Sequence, residues 1–248
     1  MTSEMTFLDH LADLRKRLIH AFLGVIVCFV IVYTYSDQIF DLLMRPLCES
    51  FKNGNCQLIT IGVAEAFIVY LKTGLVGGIF LGSPWVFYQL WKFISPGLHQ
   101  NEKKYIVPFI FSASLMFIGG ACFGYFYMFP FAFKYLMSVS GSHIVPMPSM
   151  DLYFTFASTL LFAFGALFEI PILVVLLNLL GVLEARSLWN TWRYAIVIIF
   201  ALSAILTPAD PITMLMLGIP LTILYLSSLV ACSLLERARK KRTPENPV

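Results

Sequence analysis

The stretch that decides the fold is a short polar segment in the middle of an otherwise apolar chain: Phe93-Ile94-Ser95-Pro96-Gly97-Leu98-His99-Gln100-Asn101-Glu102-Lys103-Lys104. Its Ser-Pro-Gly start is a turn signal, because proline presets φ and glycine tolerates a positive φ. Apolar sequence leads up to the segment and resumes directly after it. The segment is therefore either an ordinary turn between two helices, whose lysines fix the topology, or a recognition site. By itself it leaves both interpretations open.

The composition of the 248 residues places the chain in a membrane. Hydrophobic residues make up 59% and charged residues 12%, whereas a soluble domain has about half and about a quarter. The apolar runs are too numerous for a single anchor. The first residues include Glu4, Asp9 and Asp13 and no small-residue cleavage site. We therefore expect no cleavable signal peptide and a first apolar run that remains as a transmembrane helix.

The apolar segments on either side of the central turn predict an all-α fold with six transmembrane helices. The predicted spans are residues 18–36, 66–93, 105–129, 154–180, 194–207 and 212–235, with outer loops over 37–62 and 130–151 and a cytoplasmic turn over 181–193. This divides the chain into an amphipathic N-terminal helix, a six-helix domain and a basic tail, over residues 1–17, 18–235 and 236–248.

The fifth predicted span has 14 residues, or about 21 Å of helix against a hydrocarbon core of about 30 Å. Such a short helix would thin the bilayer or need a partner helix to cover it.

The positions of Lys and Arg predict the orientation. Six spans place both ends of the chain on one side of the membrane. Of the 17 Lys and Arg residues, thirteen fall on that side, Arg45, Lys52 and Lys134 fall on the other, and Lys72 lies near the outer end of the second span. Both termini are therefore expected in the cytoplasm.

Glu169, followed by Ile170 and Pro171, is predicted to lie near the middle of the hydrocarbon. A charge at this depth costs several kcal/mol, so we expect the carboxyl to be neutral. It could relay protons, or it could anchor a polar group of a partner on a concave face. Alternatively, it is structural and bonds a neighbouring helix beside the backbone freed by Pro171.

Two further acids, Asp13 and Glu102, are predicted at the cytoplasmic face. Asp13 can pair with Arg17 four residues later, and Glu102 with its neighbouring lysines. Such exposed pairs contribute little stability. The alternative is that the two carboxylates together receive a cationic peptide.

Two cysteines, Cys48 and Cys56, flank a turn signal over residues 52–55 in the first outer loop. If that side is oxidising, they can form a disulfide. Two free thiols are the alternative.

No pattern supports hydrolytic or redox chemistry. The four histidines, His10, His20, His99 and His143, show no metal-ligand spacing, and no phosphate-binding loop is present. We expect no enzyme activity, no metal, no cofactor and no nucleic-acid partner.

Four motifs in this order resemble the TatC family, the multispanning receptor of the twin-arginine protein translocase. They are residues 10–18 (His-Leu-Ala-Asp-Leu-Arg-Lys-Arg-Leu), residues 93–103, residues 168–171 (Phe-Glu-Ile-Pro) and residues 206–210 (Leu-Thr-Pro-Ala-Asp), with support from residues 45–47 (Arg-Pro-Leu) and 65–67 (Glu-Ala-Phe). The chain departs from the family in having Asp13 where Glu is usual, and Val63-Ala64-Glu65 where a Pro-Thr-Glu type of run is common.

The resemblance implies a receptor that binds twin-arginine signal peptides at the cytoplasmic face. It also implies a homo-oligomeric assembly with single-span TatA- and TatB-like partners in the bacterial inner membrane, and transport of folded proteins driven by the proton-motive force. The implied peptide-binding residues are Asp13, Arg15, Phe93, Pro96, Leu98, Glu102 and Lys103; Glu169 and Asp210 are implied as intramembrane polar or partner residues, and Pro46 and Glu65 as structural residues of the outer loop. A proton-coupled small-molecule transporter with Glu169 as its proton site is the alternative.

Overall fold

A computed structural model of the chain describes residues 7–51, 56–94, 106–139, 147–206 and 211–242. These residues form helices and no strand. The helices are α1 (Phe7–Tyr33), α2 (Ser36–Cys48), α3 (Glu65–Ile94), α4 (Ile106–Phe123), a π-helical turn (Gly124–Met128), α5 (Phe129–Val139), α6 (Met150–Phe168), α7 (Ile170–Leu179), α8 (Ala185–Leu206) and α9 (Pro211–Arg242).

Six of the helical segments in the described residues are long and apolar enough to cross a membrane. They correspond to α1, α3, α4 with the π turn and part of α5, α6 with α7, α8, and α9. The predicted all-α fold with six membrane-spanning helices is therefore confirmed. The most extensive helix contacts join α1 to α3, α4 to α6, and α8 to α9.

Glycines allow α1 and α3 to pack with their backbones close together. A Cβ built on Gly78 would lie 2.8 Å from the backbone nitrogen and Cα of Phe29, and one built on Gly74 would lie 3.1 Å from the Cα of Tyr33. Because lipid is as apolar as a leucine side chain, helices in a membrane associate through this kind of close packing. The glycines of the second span thus form its contact surface for the first.

The π-helical turn and α6 form the centre of the bundle. Phe154 and Phe164 on α6, and Phe129 directly after the π turn, are almost completely buried. Gly120 faces α6 so closely that a Cβ would lie 2.5 Å from the carbonyl oxygen of Phe164. Large aromatic side chains on α6 therefore fit only because small residues face them on α4.

The first outer loop was predicted wrongly, because much of it is helical. Helix α2 covers Ser36–Cys48 and buries Phe40, Leu43 and Leu47 against the bundle. Pro46 lies inside this helix. The helix forms in spite of this proline because the apolar residues at i, i+3 and i+7 make a buried helical face.

The third span also extends further than predicted. It continues through the π turn and α5 to Val139, so the second outer loop does not begin at Pro130. Pro130 lies in the first turn of α5, directly after the wider π turn. The chain remains helical here although the proline has no N–H to donate, and the one hydrogen bond that is lost falls where the ladder changes from the π to the α pattern.

The helix of the fifth span begins earlier than predicted. Helix α8 has 22 residues and begins at Ala185, which gives about 33 Å of helix. The backbone N–H of Ala185 donates to Glu236 Oε1 at 2.7 Å. A carboxylate from α9 therefore caps a helix start that the sequence around residue 185 does not mark. The added turns carry Arg186 and Arg193, so the uncharged part of α8 remains short, and the bilayer thinning expected from it stays a prediction.

The two ends of the chain continue the transmembrane helices. The predicted N-terminal helix and the first span form one helix, α1, and the last span continues as α9 into the basic segment as far as Arg242. Residues 243–248 lie outside the described residues.

We expect Gly78→Ala to destabilise the protein by about 1–3 kcal/mol, because the new Cβ would meet backbone atoms of α1 that cannot rotate away. The matched control is Gly119→Ala, since a Cβ on Gly119 meets nothing within 4 Å. That substitution should be neutral or stabilising by roughly 0.5–1 kcal/mol. Denaturant unfolding in detergent measures both variants, and equal effects would contradict the close-packing interpretation.

Candidate functional site

At the end of the bundle that holds the start of α1 and the end of α3, the structure brings two of the predicted regions together. The rings of His10 and Phe93 stack with centroids 4.5 Å apart. Asp13 follows His10 by three residues and so lies on the same face of α1. Asp13 therefore lies on the side of α1 that faces the end of α3, where the central polar segment begins.

Asp13 is paired within its own helix. Its Oδ1 lies 3.2 Å from Arg17 Nε, and the two side chains are about a quarter exposed, at 25% and 28%. The carboxylate is thus less exposed than the sequence suggested, yet it remains accessible. The contact is an ion pair without the alignment of a hydrogen bond, since Arg17 Nε has no hydrogen-bond partner in the described part of the chain. A better-aligned guanidinium could compete for this carboxylate.

The remaining predicted peptide-binding residues divide into two groups. Arg15 is exposed on α1. Pro96, Leu98, Glu102 and Lys103 lie outside the described residues, as does Asp210. The structure therefore places Asp13, Arg15 and Phe93 at one end of the bundle.

Glu169 lies at a break in the fourth span. It separates α6 from α7 and is the last residue before Ile170 and Pro171. The residue is 9% exposed, and its Oε1 has no hydrogen-bond partner among the described residues. A buried acceptor left without a partner costs about 1–3 kcal/mol. The structure thus combines a helix break with an unsatisfied carboxyl oxygen deep in the bundle.

At the opposite end of α3, Glu65 is the centre of a hydrogen-bond network that the sequence did not predict. Its Oε2 accepts from the backbone N–H groups of Ile61 and, at 3.0 Å, Gly62. Its Oε1 accepts from Ser149 Oγ at 2.7 Å and from the backbone N–H of Asp151 at 3.0 Å. One carboxylate therefore joins the start of α3 to the start of α6.

Backbone pairing strengthens the same junction. The N–H of Ile59 donates to the carbonyl of Pro148 at 3.1 Å, and the N–H of Met150 donates to the carbonyl of Ile59 at 2.9 Å. The segment before α3 is thus held against the segment before α6 by main chain as well as by Glu65. The structural role predicted for Glu65 is therefore a specific one. Its carboxylate accepts hydrogen bonds from donors at and just before the starts of two helices.

Pro46 also has a structural consequence. A proline cannot donate to the carbonyl four residues earlier, which here belongs to Leu42. The hydroxyl of Tyr125 donates to that carbonyl at 2.6 Å, and the hydroxyl of Tyr153 donates to the carbonyl of Leu43. Two tyrosines of the bundle thereby attach α2 to it.

A disulfide joins Cys48, the last residue of α2, to Cys56. It closes the loop between α2 and the segment that pairs with residues 148–150. Together with the Glu65 network, it ties α2, α3 and α6 at one end of the bundle. No three His, Cys, Asp or Glu side chains in the described part of the chain are grouped so that they could hold a metal ion.

These features define a class of protein: a polytopic α-helical membrane protein, cross-linked at one end, with a buried carboxyl in the fourth span and an acid-bearing helix end at the other side. The family model of the Sec-independent protein translocase protein TatC matches residues 9–220. The chain belongs to the TatC family, and it is accordingly a subunit of a protein-transport system and a multi-pass protein of the bacterial inner membrane.

Relatives and solved structures agree over most of the chain. It is 40% identical to TatC of Desulforapulum autotrophicum over 224 residues, covering 90% of this chain and 83% of that protein. It is 33% identical to TatC of Aquifex aeolicus over 239 residues, covering 96% and 98%. A crystal structure of the twin-arginine translocase receptor TatC superposes with a TM-score of 0.77 at 33% identity and covers 90% of this chain and 98% of that one.

We expect Cys48 and Cys56 to resist alkylation in protein solubilised from unreduced membranes and to react after reduction. The disulfide should contribute about 2–3 kcal/mol by constraining the unfolded chain. Cys122 and Cys232 lie in membrane-spanning helices and are free thiols, so both serve as controls that react once the protein is denatured, with or without reduction. Mass spectrometry of labelled peptides measures all four, and full alkylation of Cys48 and Cys56 before reduction would exclude the bond.

Proposed function

We propose that the chain is the receptor subunit of a twin-arginine protein export system and binds twin-arginine signal peptides at its cytoplasmic face. The observation that carries this proposal is the stacking of His10 on Phe93. It supports a single surface formed by the start of α1, with Asp13, and the start of the central polar segment, with Glu102. The crystal structure that superposes on this chain is that of a twin-arginine translocase receptor.

Arginine is the cation that best fits such a surface. Its planar guanidinium can donate two parallel hydrogen bonds to one carboxylate, whereas a lysine ammonium acts as a point charge. Two adjacent arginines can therefore engage two carboxylates, one on Asp13 and one on Glu102. The existing ion pair between Asp13 and Arg17 is a poorly aligned contact, so its exchange for an incoming arginine costs little.

The aromatic pair supplies a second kind of contact. Phe93 is partly exposed at the end of α3, and a guanidinium can also stack on an aromatic ring. Arg15 on α1 and Lys103 in the central segment add positive charge, which would hold any acidic groups of the peptide or its cargo. The surface is thus suited to a cationic segment held by acids and an aromatic ring.

We expect Asp13→Ala and Glu102→Ala each to weaken binding of a twin-arginine peptide about tenfold or more, since a hydrogen bond to a charged group contributes about 1.5–3 kcal/mol. Asp13→Glu should preserve binding, because it retains the carboxylate. Fluorescence anisotropy with a labelled peptide, and with its twin-lysine counterpart, measures the effect.

The control for these variants is Asp41→Ala, which removes an exposed acid of α2 at the other end of the bundle. It should leave peptide binding unchanged. Normal affinity in the Asp13→Ala/Glu102→Ala double variant would refute the two-carboxylate site, provided that the variant retains its melting temperature.

The second part of the proposal concerns Glu169 and single-span partners of the TatA and TatB type. The Oε1 of Glu169, for which the described residues offer no hydrogen-bond partner, lies at a break in the helix. A neutral carboxyl both donates and accepts, so it could hold a polar side chain of a partner helix within the membrane. Assembly of several copies with such partners, on a concave face lined by Glu169, and transport driven by the proton-motive force complete the proposed function.

We expect Glu169→Gln to keep partner assembly and much of the transport, because an amide also donates and accepts. Glu169→Ala should impair partner contact. Co-purification of the single-span partners and export of a folded reporter measure the two effects separately, with Glu184→Gln on the surface as the control. If Gln abolishes export as fully as Ala while assembly survives, the proton itself is required and Glu169 is a relay.

A further inference from the structure

A groove lies between the starts of α3 and α6, at the end of the bundle fixed by Glu65. Its volume is about 670 Å³. Apolar side chains form its walls, among them Val63, Ile68 and Leu152, and all three are well exposed. The floor carries an ion pair in which Lys72 Nζ lies 2.6 Å from Asp151 Oδ1. A charged pair inside an otherwise apolar groove requires a physical account.

The ion pair is open to a ligand. The side chains of Lys72 and Asp151 are 41% and 38% exposed. A lysine ammonium has three donors and an ionised carboxylate about four acceptor positions, so one mutual contact leaves most of this capacity unused. Glu65, by contrast, accepts four hydrogen bonds from neighbouring donors. Glu65 therefore fixes the shape of the groove, and the ion pair is the part that can recognise a ligand.

The depth of the pair in the membrane identifies the kind of ligand. Helix α3 has 30 residues, or about 45 Å, which matches a whole bilayer including its headgroups. Lys72 follows Glu65 by seven residues, about 10 Å along the helix. Its flexible chain extends the ammonium back toward the interface. The pair thus lies where lipid phosphates meet the hydrocarbon.

On the hydrocarbon side of the ion pair, the exposed surface of α3 is apolar. Leu71 and Leu75 are 40% and 44% exposed on α3. A molecule with its polar part at Lys72 and Asp151 would therefore lay an apolar part along this surface. A phospholipid has this arrangement of polar and apolar parts.

We propose that this groove binds a zwitterionic phospholipid of the phosphatidylethanolamine type. The lipid phosphate accepts hydrogen bonds from Lys72 Nζ, and the lipid ammonium donates to the Asp151 carboxylate. The headgroup dipole then lies antiparallel to the dipole of the ion pair, so that each charge of the lipid faces a charge of opposite sign. Lys72, Asp151 and Glu65 together carry one net negative charge, which disfavours an anionic headgroup.

The test titrates the purified protein in detergent with four short-chain lipids and measures bound lipid by native mass spectrometry. Phosphatidylethanolamine should bind at least tenfold more tightly than diacylglycerol, which lacks the phosphate. It should also bind more tightly than phosphatidylcholine, whose ammonium has no N–H, and phosphatidylglycerol, which is anionic. Equal binding of all four lipids would overturn the proposal.

Variants assign the contacts. Lys72→Ala should lose at least tenfold in affinity for phosphatidylethanolamine, and Lys72→Arg should retain it. Asp151→Asn should abolish the preference over phosphatidylcholine. Lys134→Ala is the matched control, because Lys134 is an exposed lysine on α5. Wild-type affinity in Lys72→Ala would overturn the proposal.

Two further measurements keep the proposal testable. One applies if a charge variant fails to fold, and the other shows whether something other than a lipid occupies the groove. Leu152→Trp narrows the groove without removing either charge, and it should lose lipid binding while keeping the melting temperature. A photo-crosslinking residue at position 152 in native membranes should give a lipid adduct. An adduct with a second copy of the chain, or with another protein, would show that the groove is a protein interface and would overturn the lipid assignment.

Discussion

The constraint on which this structure depends is that each backbone donor and acceptor inside a membrane must find its partner within the protein. Where a helix is interrupted, a side chain supplies the hydrogen bond that the backbone lacks. Pro84 in α3 cannot donate to the carbonyl of Phe80, and the hydroxyl of Ser83 donates to it at 2.8 Å. The start of α8 is satisfied from another helix, because Glu236 accepts from the N–H of Ala185. These substitutions let six long helices contain prolines and breaks without exposing unsatisfied backbone to lipid.

Much of the fold could be predicted from the sequence because lipid imposes a length and a composition on each span. The segments that were predicted wrongly are those stabilised from a distance. Helix α2 contains Pro46, and the carbonyl that this proline leaves free is satisfied by Tyr125, 83 residues from Leu42. Helix α8 begins where it does because of a carboxylate 51 residues further along the chain. A local pattern cannot show such partners, so these segments looked like loops.

The same difference between local and distant partners separates the site residues that the sequence identified from the contacts that only the structure shows. The sequence identified Asp13, Phe93 and Glu169 from charge, aromatic character and depth, which are properties of single residues. It placed Glu65 at the start of a span but could not show its network, because two of its donors lie 84 and 86 residues away. The disulfide could be anticipated because its two cysteines flank a turn signal and are separated by only 8 positions. Short-range chemistry is readable from sequence, and long-range hydrogen bonding is not.

Glu169 differs from the other acids in a way that bears on its role. Glu65 satisfies both oxygens within the chain, and Glu236 accepts from two helix ends, through the N–H of Ala185 and the amide of Asn178 at 2.7 Å. Both carboxylates stabilise the fold in which they lie. The Oε1 of Glu169 is buried with no hydrogen-bond partner in the ranges that the structure describes, which costs about 1–3 kcal/mol, and a leucine of similar volume would avoid that cost. Such an oxygen adds no stability to the fold, whereas the carboxylates of Glu65 and Glu236 do, and this is the physical reason to look for its partner outside the chain.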